Sequence, residues 1–198
     1  MTETAKSQAL ALLTKFRVSD TQRRNMLFWQ ENLPQDETSM RDLAQAFDAI
    51  GVETFNSGDA TKAQDALWPL FMLRLAIVRE DHNDRDALRD LATAEDLLGL
   101  ALVELGNIDP ATRMLSEALS YRRGLFQDEP EDCDSAYLYG VSLWHMAQLE
   151  RAKHDTSSEY DWLFQARDHL VTVDQTWPDL PFIQTTLAEV EARVEELR

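Results

Sequence analysis

Few side chains in this sequence are of a type and spacing that could do chemistry. The four histidines, His82, His145, His154 and His169, include no pair at the i, i+4 spacing that presents two imidazoles to one metal from a helix face. His145, inside Trp144-His145-Met146, reads as a packed or hydrogen-bonded helix residue. The single cysteine, Cys133, lies in Asp128-Glu129-Pro130-Glu131-Asp132-Cys133-Asp134, where neighbouring carboxylates disfavour the thiolate, so a poor nucleophile is expected. That acidic run lacks the glycine and the distal glutamate of a calcium loop. No glycine begins a phosphate-cradling turn with Lys-Ser/Thr behind it, and among 36 Asp and Glu no pair is singled out for acid/base work. The expectation is a protein that is not an enzyme, with no metal site and no cofactor.

The elements that would position any site are set by composition and periodicity. At 198 residues the chain has the length of about one domain. Nineteen Lys and Arg against 36 Asp and Glu give a net charge of −17, so a nucleic-acid backbone or an anionic membrane would repel it. One cysteine allows no internal disulfide. The start, MTETAKSQALALL, has no basic segment followed by a long apolar one, and no stretch approaches the ~18 apolar residues of a spanning helix, so a cytoplasmic location is expected. The charge is uneven: Lys6, Lys15, Arg17, Arg23 and Arg24 against Glu3 and Asp20 make residues 1–30 net positive. This basic end is expected either to be a solvated surface or to dock on an acidic surface of the same chain or of a second copy.

Glycine placement shows the organisation. Gly51 and Gly58 recur as Gly99 and Gly106, an offset of 48, and side chains follow the same interval. Ala63 maps to Ala111, Asp59 to Asn107 and Asp155, Leu67 to Leu115 and Leu163, Ile50 to Leu98 and Met146, and Leu70 to Ala118 and Ala166. In the third copy Ala147, His154 and Glu159 stand where the first has Gly51, Gly58 and Ala63. Apolar residues recur every three to four positions, as at Leu43, Phe47 and Ile50 or Leu91, Leu98, Leu102 and Leu105, and no window alternates as a strand would. Cap residues predict helix starts at Ser39, Asp59, Asp109-Pro110, Asp134 and Ser158. Each copy therefore reads as two antiparallel helices joined at the second glycine, which supplies a positive φ, while the first small residue allows close helix approach. Pro69 falls inside the second helix of the first copy and predicts a kink near Asp65–Trp68.

The pattern Gly51…Gly58-Asp59…Ala63…Leu67…Leu70, repeated as Gly99…Gly106-Asn107…Ala111…Leu115…Ala118, resembles the tetratricopeptide repeat family. The third copy, Ala147…His154-Asp155…Leu163…Ala166, is a weaker match. The 48-residue period is longer than the family's usual ~34 and is similar to long-period bacterial members. Thr54, Leu102 and Glu150 stand where the family carries an aromatic, and its closing proline is missing. The resemblance implies an all-α superhelix, a solenoid of about nine helices. Its parts are an N-terminal basic helical hairpin over 1–38, three repeats over 39–174 and a C-terminal capping helix over 175–198, together one domain. Ala5, Ala9, Leu12, Leu13 and Phe16, with Met26, Leu27, Phe28 and Trp29, supply the apolar side of the first part. Ile183, Leu187, Val190, Val194 and Leu197 supply that of the last, which Pro181 begins.

The resemblance also implies a concave face lined by first helices, at positions three before and one, four and five after the small residue. These are Asp48, Val52, Phe55 and Asn56, then Asp96, Leu100, Val103 and Glu104, then Trp144, Gln148, Arg151 and Ala152. Such a groove, apolar along its floor and acidic at one side, suits a protein or peptide segment with apolar anchors and basic flanks. The alternative for Val52, Leu100 and Val103 is burial between helices. Trp144 is the expected anchor contact. The expected function is a protein–protein interaction scaffold; the alternatives are a secretion or assembly chaperone and a homo-oligomeric structural subunit built through the N-terminal hairpin.

Overall fold

The computed structural model describes residues 3–15, 28 and 31–198. Among them eight α-helices and no strands occur: α1 (Glu3–Lys15), α2 (Glu37–Asn56), α3 (Ala60–Glu80), α4 (Arg85–Glu104), α5 (Ile108–Asp128), α6 (Cys133–Ala152), α7 (Thr156–Thr176) and α8 (Pro181–Glu196). Of the expected N-terminal hairpin, Phe16, Met26, Leu27 and Trp29 lie outside the described residues.

The 48-residue interval is kept by the helices themselves. α2, α4 and α6 have 20 residues each and begin at 37, 85 and 133, while α3, α5 and α7 have 21 each and begin at 60, 108 and 156. In this all-α helical repeat five helix starts share one local cause. Asp36, Asp84 and Asp132 accept the N–H of Ser39, Ala87 and Ser135 at 2.9–3.0 Å, satisfying a donor in each first turn that has no partner within the helix. Asp59 and Asp155 do the same for Lys62 and Ser158 at 3.1 Å. Three expected starts therefore shift toward the N-terminus, Ser39 giving way to Asp36, Asp134 to Asp132 and Ser158 to Asp155, and the start expected at Asp109 moves to Asn107, whose side chain makes no cap bond. At 39 and 158 the serine is not the cap but the donor, and the aspartate three residues earlier receives its N–H. The turn positions Gly58, Gly106 and His154 all have positive φ, 78°, 72° and 60°. His154 thus adopts the left-handed conformation that its equivalents reach without a Cβ clash.

The described chain divides into two compact units, residues 1–101 and 102–198. In the first, α1 packs on α2 and buries Ala5, Ala9 and Leu12, and α2 forms an antiparallel hairpin with α3. A Cβ on Gly51 would lie 2.6 Å from Leu67 Cδ2, so a side chain there would displace the buried Leu67. Ala63, Leu67 and Leu70 of α3 are at most 1% exposed, and each leucine so buried contributes about 1.5–3 kcal/mol. α3 runs unbroken through Pro69, which is buried.

In the second unit α5 packs on α6, α6 on α7 and α7 on α8. Gly140 gives α6 and α7 their close approach, since a Cβ there would meet Leu170 Cδ2 at 2.7 Å. Glu159, at the position of Ala63 and Ala111, is 3% exposed. It accepts two hydrogen bonds from Arg193 of α8, from Nε at 2.7 Å and from Nη2 at 3.1 Å. These bonds raise the arginine's proton affinity further. α8 begins one interval after α6 and buries Ile183, Val190 and Val194. The face that on α2 carries Met40, Ala44, Phe47 and Gly51, and on α6 Ala136, Gly140, Leu143 and Ala147, is buried in both helices. On α8 its equivalents are Gln184, Ala188, Glu191 and Glu195, all exposed. α8 therefore stands at the position of the first helix of a fourth copy.

Candidate functional site: an open depression on the second unit

Trp144, Gln148 and Arg151 lie on α6 at steps of four and three, which places all three on one helix face. With Val103 at the end of α4, Ala152, and Glu189 on α8, they surround an open depression of about 450 Å³. Val103, Trp144, Gln148 and Ala152 are half-buried, while Arg151 and Glu189 are exposed. The indole, the valine and the alanine form an apolar floor, Gln148 offers both a donor and an acceptor, and a cation and an anion stand at the rim.

Of the residues expected on the concave face, the structure brings together Val103, Trp144, Gln148, Arg151 and Ala152. Glu104 is exposed but does not line this depression. The others belong to the first unit. There Val52 is 37% exposed, Phe55 and Leu100 are half-buried, and Asn56 is exposed. Asp96 is only 6% exposed, so the acidic side chain expected to face a partner is instead inside the protein. Asp48 is half-buried, and burial pushes its carboxyl above the ordinary value, against the pull of Arg74, which itself pairs with Asp90 at 2.6 Å. Glu189 lies on α8, outside the three copies from which the concave-face positions are drawn, and only the packing of α8 near α6 brings it to the depression.

Among the described residues no group of three His, Cys, Asp or Glu could hold a metal ion, and no helix is long and apolar enough to cross a membrane. Cys133 opens α6, and burial, followed by Asp134 and Asp132, pushes its thiol above the ordinary range. His169 is packed edge-on against Phe126 and Tyr139, with ring centroids 5.1 and 4.9 Å away. Its Nε2 lies 2.7 Å from the Ala136 carbonyl. A carbonyl only accepts, so Nε2 carries the proton. Burial lowers the imidazole's proton affinity despite that bond.

No protein-family model and no curated protein sequence matches the chain. Three solved structures are similar to it at low level. One titled "DHF58 filament" has a TM-score of 0.37 at 13% identity over 98% of this chain and 94% of that one. One titled "DHF119 filament" has 0.35 at 12% over 99% and 92%. The de novo designed helical repeat protein DHR64 has 0.34 at 13% over 99% and 95%. At such scores these likenesses add nothing to the assignment, which rests on the chain's own periodicity.

Proposed function

We propose that the protein is a non-catalytic interaction scaffold, a cytoplasmic helical repeat of the long-period tetratricopeptide kind that holds a segment of a partner protein. The observation that carries this reading is the depression around Trp144, where an aromatic, two further apolar side chains and a few polar groups converge on about 450 Å³ of open space. That volume falls within the usual range of binding sites and accommodates a few side chains. A half-buried tryptophan is also a residue type that dominates binding energy at interfaces. With a net charge of −17 the chain draws basic segments toward it from a distance.

The test is affinity capture with mass spectrometry, followed by titration of the recovered partner against wild type and Trp144→Ala. Affinity is expected to fall about thirtyfold, the size of a hot-spot truncation, with helix content unchanged. Undiminished capture by the variant, with its fold intact, sinks the assignment. The basic residues 1–30 on an otherwise acidic chain favour one second reading, self-association through that segment. A mass in solution that falls from oligomer to monomer as salt rises supports it, and a monomer at both ionic strengths eliminates it.

A further inference from the structure

We infer that the depression on the second unit selects a segment of mixed charge: an apolar anchor flanked by a carboxylate on the Arg151 side and an ammonium or guanidinium on the Glu189 side. This rests on the scaffold reading and replaces its generic basic flank with a specific pattern. Residues 102–198 hold eight Lys and Arg against nineteen Asp and Glu, so a cation there is surrounded by candidate partners. Lys153, Arg167, Arg193 and Arg198 each pair with a carboxylate. Among the described residues Arg113 and Arg151 are exposed without a carboxylate partner, and Arg123 lies over the Tyr139 ring; of these only Arg151 lines the depression, and Glu189 on the facing helix is likewise unpaired.

The two charges come from different helices and stand over one apolar floor. Arg151 lies seven residues beyond Trp144, about 10 Å along the helix axis. A segment whose anchor sits on Trp144 therefore meets the guanidinium two helical turns away, and charge sets the direction in which it lies. A uniformly basic segment would satisfy Glu189 and be repelled by Arg151, while a uniformly acidic one would suffer the reverse.

The test pans a displayed library of random 12-residue peptides on the full-length protein and, in parallel, on Trp144→Ala. The best peptide, its two single-charge-to-Gln forms and its charge-swapped form are then titrated by fluorescence anisotropy. The protein forms are wild type, Arg151→Gln, Glu189→Gln and the double reversal Arg151→Glu/Glu189→Arg. All these sites are exposed, and circular dichroism checks that each variant is folded. Expected are enriched sequences pairing one acidic and one basic residue around an apolar anchor, a loss of about three- to tenfold on neutralising any one charge on either side, and preference of the double reversal for the swapped peptide. Enrichment of purely basic peptides, or affinities indifferent to residues 151 and 189, overturns the mixed-charge pattern while the scaffold reading stands. No enrichment over Trp144→Ala overturns both.

Discussion

Removing Arg193 should harm this protein far more than removing its partner Glu159. The carboxylate is 3% exposed, and Arg193 supplies its two short hydrogen bonds. In Arg193→Met the carboxylate stays behind without that partner. A buried charge stripped of its partner costs about 3–5 kcal/mol. Glu159→Ala is milder, because it restores the residue type of Ala63 and Ala111, both 0% exposed, and Arg193 keeps Glu196 at 2.7 Å. The double variant Glu159→Ala/Arg193→Met is expected near wild type. Urea unfolding followed by circular dichroism at pH 7 measures all four corners of the cycle. A cost for Arg193→Met below about 1 kcal/mol, or a larger cost for Glu159→Ala than for Arg193→Met, refutes the reasoning.

Four other substitutions bear on the fold. His154→Gly should stabilise the protein by about 1 kcal/mol and Gly106→Ala destabilise it by a similar amount, because both positions sit at positive φ; melting curves of the pair give the sign of each. Ala111→Leu adds volume to a site that is 0% exposed and should cost roughly 1–3 kcal/mol by overpacking, readable as a lower urea midpoint at unchanged slope. His169 is held below its ordinary proton affinity by burial, so its contribution is fully present above the unfolded value of 6.5 and is lost as pH falls from there toward the lower folded value. His169→Gln, which keeps a donor for the Ala136 carbonyl, should flatten the decline in stability between pH 6.5 and pH 5. The aspartates at Asp36, Asp84 and Asp155 act in a separate and more acid window, because the N–H groups they accept hold them below the usual carboxylate range.

Much of the architecture was legible along the chain because its causes are local. A positive-φ turn requires glycine or a residue that tolerates the strain, and a buried helix face requires an apolar residue every three to four positions. Both needs leave marks at fixed spacing, so Gly58, Gly106, Leu67, Leu115 and Leu163 exposed the 48-residue interval directly. Helix starts were less legible, since a serine and the aspartate three residues before it both look like caps, and only the hydrogen bond identifies the receiver. The spacing of Trp144, Gln148 and Arg151 was enough to put them on one face. That Glu189 joins them, that Asp96 is turned inward, and that Glu159 at a small-residue position is matched by Arg193 were decided by packing. Residues 34 or 45 positions apart meet only because helices pack side by side, and a hydrophobic period records which face of a helix is covered without recording which charge on the next helix will reach it.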